Sequence, residues 1–256
     1  TFSEVSALPV HFPLKLVSSH MLAPTVRHLA FRRDDGEALD FIPGQFLQVH
    51  FTYEDGKATK RSYSVATQRS GEPQPDDLIE IAVSYVPGGA ATDIFEHLEE
   101  GQQIEASGPY GRFCLQEDDS NRRYLLIATG TGVTPYRAML PLLEKAIAER
   151  GIEVVLLLGA RNPGELLYAD DFQAFADKHP GFRFVPCLSR QMPTEPREDD
   201  FNGYVQDALP QFAPNPETDV AYLCGNPNMV DACFEALKAL EFGVRQVRRE
   251  KYVSSR

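Results

Sequence analysis

Arg61-Ser62-Tyr63-Ser64 places a permanent cation, a flat aromatic ring and two hydroxyls on four consecutive residues, a set suited to a planar ligand that carries phosphate. Side chains alternate between faces in an extended strand, so Arg61 and Tyr63 are expected on one face and Ser62 and Ser64 on the other. Tyr63 can then stack on a ring system while Arg61 reaches a phosphate on the same side. The same four letters also suit an ordinary strand with a surface arginine and a half-buried tyrosine, so the segments downstream must decide.

Ala128-Thr129-Gly130-Thr131-Gly132-Val133-Thr134-Pro135 follows a compact apolar run and precedes a long helical pattern. Glycines let backbone approach a pyrophosphate, a helix N-terminus offers unpaired N–H groups, and proline in the first helical turn loses no donor. Gly130, Thr131 and Gly132 are therefore candidate phosphate binders, although the usual three-glycine dinucleotide fingerprint is absent. Leu223-Cys224-Gly225-Asn226-Pro227-Asn228-Met229 repeats the arrangement after a later apolar run. Open parallel sheets bind ligands at the carboxyl ends of their strands, so Gly225, Pro227 and Met229 should line the same crevice as the first turn. Gly88-Gly89-Ala90-Ala91-Thr92 precedes a short helix and reads equally as a plain loop or as a second phosphate cradle. Cys224 has no histidine in triad-like context and reads as a small buried residue. The six histidines show no metal-ligand spacing.

The elements that must position these residues fall into two styles. Up to about residue 116, strands at Thr25 to Phe31, Phe46 to Phe51, Arg61 to Ala66 and Ile79 to Tyr85 alternate with glycine and proline turns, which predicts a small antiparallel β-barrel. A short helix over Asp93 to Glu100 interrupts it. From residue 117 onward, strands at Tyr124 to Ala128, Val154 to Leu158, Phe182 to Pro186 and Val220 to Cys224 alternate with helices. Those helices are expected at Pro135 to Arg150, Asp170 to Lys178, Val205 to Leu209 and Met229 to Leu240. Strand–helix alternation predicts a doubly wound parallel α/β sheet. The expected domains are 1–116 and 117–256, split at the acidic run Glu117-Asp118-Asp119.

Composition limits the partners. The 256 residues, 43% hydrophobic and 24% charged, describe an ordinary globular chain without a membrane-length apolar run, so a cytoplasmic home is expected. A formal net charge of -12 argues against nucleic acid. Cys114, Cys187, Cys224 and Cys233 are too widely spaced for a zinc site, an iron–sulfur cluster or a disulfide framework. Two basic spots stand out on the acidic background: Arg27, Arg32 and Arg33, and the C-terminal Arg245, Arg248, Arg249, Lys251 and Arg256. Each is a solvated face or a docking patch for an acidic protein.

These motifs, in this order, resemble the ferredoxin-NADP reductase family of flavoproteins. The resemblance runs from Pro43-Gly44-Gln45-Phe46 through Arg61-Ser62-Tyr63-Ser64, Gly108-Pro109-Tyr110-Gly111 and the Gly130 turn to Cys224-Gly225-Asn226-Pro227. It implies FAD on the first domain, with Tyr63 on the isoalloxazine, Ser64 near its hydride-accepting nitrogen and Arg61 on the pyrophosphate. Backbone around Ala82, Val83 and Ser84 would hold the flavin, and Gly89, Ala90, Ala91 and Thr92 the phosphates. Thr131 and its flanking glycines would meet the nicotinamide nucleotide, with Cys224 near its ring. Ser189 and Arg190 match the family's readers of the NADP 2′-phosphate, Tyr204 its adenine-stacking tyrosine, and Arg161 offers a further cation. Plant-type members carry lysine two residues before that tyrosine, where this chain has Asn202. Glu250-Lys251-Tyr252 resembles the terminal Glu-x-Tyr of plastid members, which makes Glu250 a candidate catalytic group. Tyr252 is then either a displaceable lid over the flavin or a tail residue. With no cluster cysteines, the implied acceptor is a separate ferredoxin or flavodoxin and the implied donor is NADPH. An NADH-dependent oxygenase reductase component, a free-flavin reductase and a non-catalytic nucleotide-binding module are the alternatives.

Overall fold

A computed structural model describes residues 10–53, 55–116 and 119–253. The N-terminal half contains β1 (Val10–Ala23), β2 (Val26–Arg33), β3 (Phe46–Thr52), β4 (Ala58–Ser64), β5 (Ile79–Ser84), α1 (Ala90–His97) and β6 (Gln103–Tyr110). Its six strands pair antiparallel in the order β4-β3-β6-β1-β2-β5. The ends of this sheet approach one another where Ala66, just past β4, donates its N–H to the Glu80 carbonyl of β5 at 2.7 Å. Inward residues such as Leu14, Leu29, Phe31, Leu47, Ile81 and Val83 fill the barrel-like interior. The alternation that exposes one residue and buries the next is the mark of a sheet with one wet face.

The C-terminal half contains β7 (Arg123–Thr129), α2 (Thr134–Arg150), β8 (Glu153–Ala160), α3 (Ala169–Lys178), β9 (Phe182–Leu188), β10 (Phe201–Asn202), α4 (Val205–Ala208), β11 (Asp219–Gly225), α5 (Pro227–Ala239) and β12 (Val247–Lys251). All pairs are parallel, in the order β10-β9-β8-β7-β11-β12. The strand order reverses between β7 and β11, and the carboxyl ends of those two strands are the Gly130 and Gly225 turns. Apolar side chains cover both sheet faces, which is why these strands read as continuous hydrophobic runs. α2 opens with proline in its first turn and ends on Gly151, left-handed at φ 62°, whose N–H returns to the Ile147 carbonyl.

Four strands depart from the sequence expectation. β1 was not expected because Pro13 and two register shifts break its alternation. β6 was not expected because its last residues include Gly108-Pro109, and β10 is two residues long. β12 was read only as a charged run. It is the edge strand of the sheet, and charged side chains are one way exposed edges avoid pairing with other chains. The expected strand Arg61 to Ala66 starts earlier and stops at Ser64, because Val65 and Ala66 leave the β3 ladder to bond Gln45 and Glu80. At the expected domain boundary, Glu117 and Asp118 lie outside the described residues. One apolar cluster joins the two sheets, with Ala23, Val26, Ala66 and Ala82 packed among Tyr136, Met139, Leu167 and Tyr168.

Candidate functional site

Two cavities lie side by side. The first, of about 640 Å3, is lined on the barrel side by Lys60 to Ser64, Ala82 and Ser84, on the loop before α1 by Val86 and Gly89, and on α1 by Ala91 and Thr92. Its opposite wall is Thr131, Thr134 and the C-terminal segment Glu250 to Val253. The second, of about 480 Å3, is lined by Thr129, Gly130, Ala160, Arg161, Glu165, Ser189, Tyr204 and Met229 among others. Gly130 and Thr131 are consecutive yet face different cavities, so the two spaces meet at that turn.

On the flavin-type strand, all four residues of Arg61-Ser62-Tyr63-Ser64 line the first cavity. Burial alternates as expected from Arg61 to Tyr63, and Ser64 is 5% exposed. Arg61 donates to Thr59 Oγ1 at 3.0 Å and to the Lys60 carbonyl at 2.9 Å, so its guanidinium is held locally beside the cavity. Tyr63 meets Phe95 edge-on, its ring centroid 5.3 Å away, and burial pushes its phenol up from the ordinary tyrosine value. Ala82 and Ser84 face the cavity, whereas the Val83 side chain points into the barrel core, as strand alternation requires.

Gly89 is the N-cap of α1, and Ala90 opens the helix. The Thr92 hydroxyl accepts from the Val86 N–H at 2.8 Å and donates to the Val86 carbonyl at 2.9 Å. It therefore closes the loop that shapes the cradle, and the backbone around Gly89 is what faces a ligand.

The two glycine turns interlock. A Cβ on Gly132 would lie 2.2 Å from the Cys224 carbonyl oxygen, and one on Gly225, at φ 130°, would lie 2.6 Å from the Thr129 carbonyl oxygen. Asn226 donates its N–H to Thr129 Oγ1 at 3.0 Å, and its side chain caps α5 by accepting from Asn228 N at 2.9 Å. Pro227 occupies the first turn of α5, and Met229 is buried at the floor of the second cavity.

Cys224, Glu250 and Tyr252 form one small group. Cys224 is fully buried and lines neither cavity, so it is a packed residue beside the site rather than an exposed one. It sits opposite Glu250 in the β11–β12 register. Burial raises the Glu250 carboxyl to about 7, and burial together with Glu250 pushes the Cys224 thiol up. Tyr252 donates its N–H to the Gly225 carbonyl at 2.8 Å, and its hydroxyl hydrogen-bonds the Ser64 hydroxyl. The tail residue thus closes the wall of the first cavity. Of the residues after it, 254–256 lie outside those described.

At the far end of the second cavity, Arg161 is committed: it binds Glu165 through two nitrogens, at 2.6 and 2.8 Å. Ser189 lines the cavity and donates to the Ala160 carbonyl at 3.4 Å, and Tyr204 stands 59% exposed at the rim. Arg190 is exposed and lies outside the lining. The basic spot at Arg27, Arg32 and Arg33 is not a free patch. Arg27 is spent on the Leu98 and Phe95 carbonyls and Ser19, and Arg33 on Asp35 and the Ala38 carbonyl. Arg32 is exposed, with its Nε on the Asp76 carbonyl. In the C-terminal run Arg245 and Arg249 are exposed, Arg249 covers the Phe234 ring at 3.7 Å, Lys251 pairs with Asp231, and Arg256 lies outside the described residues.

Sequence reasoning missed Thr134 and Glu165. The Thr134 hydroxyl is buried at the first cavity and has no hydrogen-bond partner among the described residues. A buried polar atom without a partner is costly, so at a cavity wall it is a candidate to bond a ligand. Glu165 lies in the short 3-10 turn Pro163–Glu165, where the four-residue spacing from Arg161 carries no helical pairing signal.

Comparison with known proteins fits this geometry. Residues 13–114 match the oxidoreductase FAD-binding domain family and residues 126–235 the oxidoreductase NAD-binding domain family. Ferredoxin--NADP reductase B of Sorangium cellulosum is 34% identical over 249 residues, covering 94% of this chain and 97% of that protein. The chain belongs to the ferredoxin-NADP reductase family. Another member of similar identity, 34% over 221 residues, is the reductase subunit of an aromatic O-demethylase from Amycolatopsis sp., of which this chain spans 62% of the length. The crystal structure of the Amycolatopsis cytochrome P450 reductase GcoB superposes with a TM-score of 0.81 at 30% identity, covering 96% of this chain and 71% of that one. The chain is thus an FAD- and NAD(P)-binding oxidoreductase with an antiparallel first sheet and a parallel second one. The unpartnered Thr134 hydroxyl, the aromatic and cationic wall at Tyr63 and Arg61, and the open backbone at Gly130 fit both cofactors.

Proposed function

We propose that this member of the ferredoxin-NADP reductase family takes a hydride from NADPH and exchanges single electrons with a ferredoxin or flavodoxin. The observation that carries the reading is the shared turn: consecutive residues Gly130 and Thr131 face the two cavities, so ligands in both would meet there. The near full-length likeness to a ferredoxin–NADP reductase supports the choice of acceptor. Residues 1–116 form the proposed FAD-binding unit and 117–256 the proposed NADP-binding unit, in a protein of proposed cytoplasmic location.

Bound FAD supplies the two-electron to one-electron conversion, and the chain supplies binding, orientation and proton placement. Tyr63 offers a ring face and Arg61 a cation to a diphosphate, while the backbone of Gly89, Ala90 and Ala91 and of Gly130 to Gly132 cradles phosphates. Ser64 presents a hydroxyl at the wall of the first cavity. Tyr252, bonded to Ser64, covers that wall and must swing aside for a nicotinamide to approach. Glu250 holds a proton up to near-neutral pH beside Tyr252 and Cys224. In this reading Ser64, Glu250 and Tyr252 are the catalytic group, and Cys224, expected there from the sequence, packs beside them opposite Glu250. Ser189, Arg190, Tyr204 and Met229 accommodate the adenosine end, with Arg161 joining only if it leaves Glu165.

That last condition favours a second reading, an NADH-dependent reductase component like that of the aromatic O-demethylase. With Arg161 neutralised by Glu165, the second cavity presents little net positive charge to a 2′-phosphate dianion. Steady-state reduction of ferricyanide with NADPH and with NADH separates the two. A larger kcat/KM for NADPH supports the first, and a larger one for NADH replaces it with the second.

A further inference from the structure

Away from both cavities, a half-buried polar cluster centred on Arg137 ties the barrel to the parallel-sheet half. Arg137 lies in α2, three residues beyond Thr134, and its side chain is 14% exposed. Its Nη1 donates to the Ala66 carbonyl at 2.8 Å and to Glu80 Oε2 at 3.0 Å, and its Nε donates to Asp171 Oδ2 at 2.6 Å. The guanidinium also lies 4.8 Å from the centre of the Tyr168 ring. The second Glu80 oxygen is 3.3 Å from His28 Nε2, and His28 Nδ1 shares a 2.9 Å hydrogen bond with the Tyr168 hydroxyl. Tyr168 holds this place from a left-handed backbone at φ 55°, a conformation that persists only where surrounding contacts over-determine it.

The acceptors are placed so as to set orientation. Ala66 comes two residues after Ser64, and its own N–H is tied to the Glu80 carbonyl at 2.7 Å. Arg137 therefore grips two points of one closed segment at the foot of the flavin-type strand, from a helix whose start carries the nucleotide-type turn. An apolar interface alone leaves two halves of a chain free to slide. A planar fork with acceptors in separate directions removes that freedom, which a lysine, a point charge on a flexible stem, does not.

We infer that Arg137 is a positioning residue for hydride transfer: by binding the Ala66 carbonyl, Glu80 and Asp171 together, it fixes the spacing between the flavin-side strand and the nucleotide-side turn. The inference rests on the hydride-transfer reading above. A misplacement of about 1 Å between reacting groups costs about 100-fold in rate, so a small slip at this cluster is kinetically visible.

The test uses FAD-loaded protein mixed anaerobically with saturating NADPH or NADH, comparing the unsubstituted chain with Arg137→Lys, Arg137→Met and Glu80→Gln. For Arg137→Lys the limiting rate of flavin bleaching, per bound flavin, should fall by about ten-fold or more. Nucleotide dissociation constants should stay within about two-fold, and the long-wavelength charge-transfer absorbance on mixing should weaken. Hydrogen exchange at the Ala66 and Glu80 amides should quicken with or without nucleotide. Glu80→Gln should lie between the unsubstituted protein and Arg137→Lys, which keeps the test decisive should Arg137→Met fail to fold. An unchanged rate and charge-transfer band in Arg137→Lys and Glu80→Gln, or a rate loss that only tracks lost FAD, overturns the inference. If the unsubstituted protein is reduced by neither nucleotide, the hydride-transfer reading fails and takes this inference with it.

Discussion

The hydroxyls of Ser64 and Tyr252, 188 residues apart along the chain, share a hydrogen bond at the wall of the first cavity. Ser64 is buried and binds no backbone, so its loss should affect chemistry more than cofactor retention. Ser64→Ala is expected to keep its FAD while its rate of reduction per bound flavin falls by about ten- to hundred-fold, the worth of one hydrogen bond to a developing charge. Stopped-flow spectra with a flavin count check this; loss of FAD with an unchanged rate per flavin contradicts it. Glu250 is tested through stability. Its folded-state value of about 7 stands above the ordinary 4.5 because burial penalises the carboxylate. The stability tied to its protonation is therefore fully present below 4.5 and lost as pH rises through about 7. Glu250→Gln carries no such penalty. Its melting temperature relative to the unsubstituted protein should climb between about pH 5 and about pH 8. A constant gap would mean that Glu250 ionises normally in the folded chain.

The interlocked glycine turns make a sharper demand on sequence than the strands that carry them. Gly132→Ala puts a methyl 2.2 Å from the Cys224 carbonyl, and both groups are backbone-anchored, so one turn must move. A loss of about 1 to 3 kcal/mol in stability is expected, read by denaturant unfolding, together with weaker nucleotide binding. At the adenosine end, two substitutions should act in opposite senses on the ratio of NADPH to NADH efficiency. Arg190→Ala should lower it by about ten-fold, whereas Glu165→Gln should raise it by releasing Arg161. Identical ratios in all three proteins would place the phosphate-reading site elsewhere. These turns were legible because glycine, proline and a strand-to-helix junction carry local signals. Edge strand β12 was hidden, because Arg248, Arg249 and Lys251 read as a charge run until β11 is seen beside them. Arg137 left no trace at all: its partners Ala66 and Glu80 are 71 and 57 residues away, and no spacing rule links them.

At the scale of the molecule, the change from period-two strands to strand–helix alternation made both sheets legible, whereas the single crevice expected from the motifs is two cavities that meet at the Gly130 turn. What stayed hidden was commitment, that is, which charged side chains are already spent inside the protein. Arg27 and Arg33 looked like a docking spot and are internal ties, while Arg245 and Arg249 remain exposed. On a chain of net charge -12, the proposed function assigns this basic edge to the steering of an acidic carrier protein. Reversing Arg245 and Arg249 to Glu should raise the Michaelis constant for ferredoxin by about ten-fold or more and leave that for ferricyanide unchanged; equal effects on both would remove the edge from the electron path. The proposed hydride transfer crosses the turn where the two cavities meet. The most direct test is the absorbance spectrum of the purified protein, recorded anaerobically before and after one equivalent of NADPH and, separately, of NADH. An oxidised flavin spectrum that NADPH bleaches faster than NADH is expected. A protein that binds flavin but is bleached by neither nucleotide would contradict the proposed transfer.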